Sequence, residues 1–145
     1  MVISKPGLAQ ISSKYVGAPY RMGGWSRQNG FDCFSLLYII AVNDYKMTLP
    51  KTFGGYTLDN YKDFWENCPR GTTRALIKYI RSVTDPVKKN YGLAGDVLIL
   101  RGDHNIFLGM RSGTSMILSS FEDAGVTISP LKYYKLLESR RWAIL

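Results

Sequence analysis

FDCFSLLYII, residues 31–40, places an acidic residue and a cysteine directly ahead of an apolar run. Asp32 has the chemistry of a helix cap, because its carboxylate can accept hydrogen bonds from the unpaired N–H groups of a first turn. Cys33 then opens the helix, and Phe34, Leu36, Leu37, Ile39, Ile40 and Val42 spread apolar groups over nearly all of its faces. A helix of that kind is central and buried. A thiol in its first turn feels the positive end of the helix dipole, which favours thiolate and makes a nucleophile. Cysteine is also among the most buried residue types and packs as a small apolar side chain. Taken alone, the stretch leaves both readings of Cys33 open.

Outward from it, Leu8, Ile11, Tyr15 and Val16 have helical spacing over residues 5–16, and Gly17-Ala18-Pro19 ends that helix. Gly23, Gly24 and Gly30 make the segment from Pro19 to Gly30 an irregular loop. Beyond the buried helix, a loop through Leu49-Pro50 and Gly54-Gly55 precedes helical stretches near 58–66 and 72–83, the second striped by Leu76, Ile77, Ile80 and Val83. After Asp85-Pro86 the period changes. DVLIL (96–100), NIFLG (105–109), SMIL (115–118) and GVTI (125–128) read as short strands divided by turns, and RRWAIL (140–145) as one more. Helices followed by an antiparallel meander predict an α+β domain.

The chain has 145 residues, the length of one domain, 1–145. Its two cysteines, Cys33 and Cys68, have neither disulfide-framework nor zinc spacing, which implies a reducing compartment and no metal or other cofactor. No signal-peptide pattern opens the chain, and no apolar run is long enough to span a bilayer. The net charge of +8 suits anionic partners, among them nucleic acid, cell-wall polymers or an acidic protein surface, and equally a scattered solvated surface. No helix-turn-helix, RNP or Walker signature supports specific nucleic-acid recognition, and no helix is expected to carry a basic stripe. Trp25, Trp65 and Trp142 are read as core or interface packing rather than a sugar platform. Cys68 is read as a thiol without a role.

Residues 15–37, YVGAPYRMGGWSRQNGFDCFSLL, resemble the opening motif of the NlpC/P60 family of cell-wall peptidases, with Gly17, Pro19-Tyr20, Gly23-Gly24 and Asp32-Cys33 at the family's spacing. AGDVLIL (94–100) resembles its entry into the sheet. The resemblance implies a papain-like fold, a buried cysteine helix on a small antiparallel sheet that supplies a His base and a third polar residue. It also implies that Tyr20 and Asp32 line the substrate cleft. Phe34-Ser35 after the cysteine and Leu49-Pro50 after the helix are similar to the family's phage-tail branch. That branch implies a virion protein made in the host cytoplasm, with other tail proteins and peptidoglycan as partners.

His104 is the sole histidine, so a Cys-His pair must be Cys33 with His104. In the family register, six residues before Gly109, stands Asp103 instead, and a shift of one residue along a strand turns a side chain to the other face. A β-bulge before Asn105 would restore the geometry. Aligning MILSSFEDAGV with the next strand puts Ser119 at the third position. Two functions follow from these residues. One is a structural tail-tip component whose catalytic site is degenerate. The alternative is an active peptidoglycan endopeptidase or amidase, with Cys33 as nucleophile and His104 as base.

Overall fold

The computed structural model describes residues 8–53, 55–65, 68–88, 91–103 and 105–143. Helix α1, Leu8–Tyr15, is followed by a two-stranded ribbon, β1 (Trp25–Ser26) and β2 (Gly30–Phe31), inside the segment expected to be irregular. Helix α2, Cys33–Ile39, runs into a wider turn over Ile40–Asp44, where Tyr45 N–H bonds back five residues to the Ile40 carbonyl. A second ribbon, β3 (Thr52–Phe53) with β4 (Tyr56–Thr57), leads to α3 (Tyr61–Trp65) and α4 (Pro69–Val83). Helix α4 starts earlier than the apolar stripe indicates, because Pro69 occupies the first turn, where its missing N–H costs nothing.

The rest is strand: β5 (Thr84–Pro86), β6 (Val97–Arg101), β7 (Ile106–Arg111), β8 (Met116–Phe121), β9 (Gly125–Pro130) and β10 (Lys135–Trp142). They form one antiparallel sheet in the order β5-β10-β6-β7-β8-β9, the expected α+β architecture with β5 added and the last strand beginning at Lys135, earlier than the expected residue 140. Strand β5 is too short to read from composition. Strand β10 closes the sheet between β5 and β6, with a bulge at Leu137.

The alternation along β7 and β8 sorts side chains to two faces. Ile106, Leu108, Met110 and Leu118 join the main core with α2, α1 residues Ile11 and Tyr15, and α4 residues Leu76, Tyr79 and Ile80. Leu98, Leu100, Ile117, Phe107 and Phe121 form a smaller cluster on the far face. Helix α2 therefore lies against the sheet face built by the even-numbered residues of β7. The buried stretch 34–37 of α2 fills the space between that face and α4.

Candidate active site

Asp32 is the cap predicted from the sequence, and it does more than cap. Its Oδ1 accepts from Ser35 N–H at 2.7 Å, while Ser35 Oγ accepts from Asp32 N–H at 2.9 Å, a reciprocal box that secures the first turn of α2. Its Oδ2 accepts from Gly23 N–H at 2.7 Å and from the Tyr61 hydroxyl. Burial pushes the Asp32 carboxyl up, and these donors act against the shift. With both oxygens engaged and the residue 2% exposed, Asp32 holds the start of α2 in place at the edge of the cavity onto which Cys33 opens.

The Gly-Gly pair has a local cause. Gly23 has φ +71°, a conformation that turns its N–H toward Asp32, and a Cβ on Gly24 would stand 2.2 Å from the Gly30 carbonyl oxygen. The loop that carries Tyr20 thereby closes tightly over the start of α2, where Tyr20 and Phe31 form an isolated bridge.

Cys33, partly exposed, opens onto a cavity of about 470 Å³ lined by Tyr20, Asp32, Asp103, Asn105 and Ser120 among others. Burial, and then the charge of Asp32, push its thiol up to about 12, while hydrogen bonding from the backbones of Leu108, Cys33 and Phe34 acts the other way. These surroundings alone hold a neutral thiol. Burial also raises the Tyr20 phenol, with the Cys33, Asp32 and Glu122 charges adding to it, so Tyr20 remains a hydrogen-bond donor on the lining of the same cavity.

The strand positions need three corrections. The face in register with Asp103 was expected to look toward Cys33, but Phe107 on that face belongs to the far cluster, and Ile106, Leu108 and Met110 meet the cysteine helix. Asp103 itself is not in the strand. Gly102 N–H bonds to the Asn105 carbonyl at 2.9 Å, which closes a tight turn between β6 and β7, and Asp103 is exposed there. Pairing from Val97↔Met110 to Arg101↔Ile106 is continuous, so the described strand residues contain no bulge at this point. His104 lies outside the described residues, while both of its chain neighbours line the Cys33 cavity.

Ser119 also departs from expectation. It projects to the face of Gly109, away from α2, and donates to the Leu108 carbonyl at 2.7 Å. Ser120 is the serine on the cavity side, and its Oγ donates to the Phe31 carbonyl at 2.6 Å. The strand pairing Ser119↔Thr127 and Ser120↔Val126 fixes this alternation.

Of the other candidates, Trp142 is in the core and Trp25 packs edge-on against Tyr38 and Tyr61, but Trp65 lines the cavity. Cys68 is exposed at the start of α4. The sequence reading missed Tyr61, for which only the three-dimensional contact with Asp32 is a signal. It also missed a basic stripe: Arg70, Arg74, Lys78 and Arg81 recur at four, four and three residues along α4, and all four are exposed. That spacing is visible in the sequence once α4 is known to begin at Pro69. Among the described residues no cluster of His, Cys, Asp or Glu suits a metal, and no helix is long and apolar enough to cross a membrane.

The architecture is similar to solved NlpC/P60 domains. The NlpC/p60 domain of the peptidoglycan hydrolase SagA superposes with a TM-score of 0.62 at 15% identity, covering 95% of this chain and 97% of that one. An NlpC/P60 family protein from Bacillus cereus gives 0.62 at 19% identity over 97% of this chain and 41% of its own. The peptidoglycan hydrolase RipB from Mycobacterium tuberculosis gives 0.56 at 19% identity over 92% and 61%. This chain thus spans less than half of the Bacillus cereus protein and most of RipB. No family sequence model and no curated protein matches it. The fold is that of NlpC/P60 domains, with Cys33 at the head of the helix packed on the sheet.

Proposed function

We propose that this chain is a cysteine endopeptidase or amidase that opens the peptide stems of peptidoglycan, carried by a phage tail. One observation carries the reading: Cys33 begins a capped, buried helix and faces a cavity whose wall includes Asp103 and Asn105, the neighbours of the chain's sole histidine. The surroundings raise the thiol to about 12, so attack at neutral pH needs a cation beside the sulfur, and an imidazolium supplies one.

In the step that follows, His104 takes the Cys33 proton, Sγ bonds to the stem-peptide carbonyl carbon, and the carbonyl π electrons move to oxygen. Tyr20 and the N–H groups at the start of α2 then stabilise that oxyanion in this proposal. Collapse breaks the C–N bond as His104 returns the proton to the leaving amine. Water then hydrolyses the thioester and regenerates the thiol. SagA and RipB are peptidoglycan hydrolases, which supports the substrate class. Phe34-Ser35 and Leu49-Pro50 support the tail assignment. Phe34 packs edge-on against Tyr61 and Tyr79, so the aromatic after the cysteine has a structural role.

A second reading is a tail-tip subunit that keeps the fold without the chemistry. It is favoured by the cysteine-facing side chains of β7 and β8, which are Ile106, Leu108, Met110, Leu118 and Ser120, none of them a base or an acid. Digestion of purified cell walls by the wild type, Cys33→Ala and His104→Ala separates the two. Release of free amines by the wild type alone is the expected result. Equal background release by all three establishes the structural reading.

A further inference from the structure

Helix α4 presents four cations in a row, and the row borders a groove. Arg70, Arg74 and Lys78 stand one helical turn apart, Arg81 follows, and Arg101 of β6 faces them across a groove of about 1090 Å³. The four on α4 span roughly 16 Å along the helix axis at about 1.5 Å per residue. Arg81 pairs with Glu138. Among the described residues, Arg70, Arg74, Lys78 and Arg101 make no ion pair, and Asp103, at the turn between β6 and β7, is the one carboxylate on the lining.

This arrangement does not serve the stability of α4. Like charges at i and i+4 repel, and Arg70 sits in the first turn, where the helix dipole disfavours a cation and no acidic residue offsets it. A bound polyanion relieves both penalties. The groove shares Trp65, Thr73, Ile77, Asp103, Asn105 and Ile106 with the Cys33 cavity, so whatever occupies it runs up to the cysteine.

We infer that the groove binds a linear phosphodiester polymer of the cell wall, a polyol phosphate chain, alongside the peptide cleft. A row of cations one turn apart suits repeated single charges on a flexible chain better than one compact anion. Single-stranded nucleic acid carries the same charge, but its binding sites stack bases on successive aromatic side chains, and Trp65 is the one aromatic among the described residues of this lining. The choice of a wall polymer rests on the wall-directed function proposed above. Binding and cleavage are measured separately, so either can fail alone.

The test is fluorescence anisotropy of a labelled synthetic poly(glycerol phosphate), titrated with the wild type, with Arg74→Gln/Lys78→Gln, and with Lys51→Gln/Lys132→Gln, whose charge change is equal but lies off the groove. The two groove residues are exposed, and thermal melts confirm that the variants fold alike. We expect at least a tenfold loss of affinity at about 0.15 M salt for the groove variant alone. Its slope of log affinity against log salt should fall by roughly two, as released counterions require. Equal losses in the two variants, absence of binding by the wild type, or tighter binding of a single-stranded oligonucleotide of the same charge overturns the assignment.

Discussion

The Tyr61 hydroxyl donates to Asp32 Oδ2 across 29 residues of chain, so the first residue of α3 fixes the cap of the cysteine helix. Both groups are buried, and removing one partner leaves the other's hydrogen-bonding capacity unmet. Tyr61→Phe should destabilise the fold by about 1–3 kcal/mol in urea denaturation. Asp32→Ala should cost more, because it also removes the cap and strands Gly23 N–H. The double variant should cost less than the sum of the two, and strict additivity would show that the contact is not made.

Gly24→Ala tests the loop over α2. The new methyl would stand 2.2 Å from a backbone oxygen that no side-chain rotation can move. A loss of about 3 kcal/mol or more is expected from such overpacking, seen as a lower urea midpoint. Gly55→Ala is the comparison for crowding, since nothing lies within 4 Å of its Cβ position, although its φ of +86° still strains the alanine. It should be the milder of the two.

Stability should decline at high pH. Burial raises the phenols of Tyr15, Tyr45, Tyr61 and Tyr79, with Tyr45 reaching about 12. An unfolded phenol ionises near pH 10, so the fold's preference for the neutral form is fully present below about pH 10 and is lost as pH climbs toward the folded values. Urea midpoints should be level from pH 7 to 9 and fall steadily from 10 to 11. A flat profile across that window contradicts the burial of these rings.

Ser119→Ala distinguishes the two serines of β8. Its hydroxyl faces away from α2 and bonds to a backbone carbonyl, so its loss should cost about 1 kcal/mol of stability and leave kcat/KM for wall cleavage within twofold. A large fall in kcat with unchanged stability would restore it as the third catalytic position.

The cap, the buried helix, four of the strands and the end of β10 were legible because each leaves a local mark: a carboxylate before an apolar run, or alternation between turns. The side of the sheet that Cys33 meets was not. It depends on which parity of β7 packs against α2, and the glycine used to set the register, Gly109, sits on the far face where Leu100 approaches it. A count from a single glycine carries no information about where the strand begins, and Asp103 falls in the turn before it. The stripe on α4 escaped for a related reason: the helix was expected to begin at residue 72, which left Arg70 outside it. Tyr61 and Ser120 act through contacts 29 and 89 residues distant in sequence, and no local pattern encodes those.

The central claim is that His104 activates Cys33, and the pH dependence of Cys33 alkylation tests it most directly. The background is Cys68→Ser, which removes the exposed second thiol. With a Cys-His ion pair, the iodoacetamide rate reaches its plateau at or below neutral pH, and His104→Ala shifts the rise toward the value of about 12 that the remaining surroundings impose. At pH 7.5 that shift lowers the thiolate population by roughly a thousandfold or more. A rate that climbs through pH 10 in both proteins, with no difference between them, contradicts the account and leaves Cys33 an unactivated thiol in a structural protein.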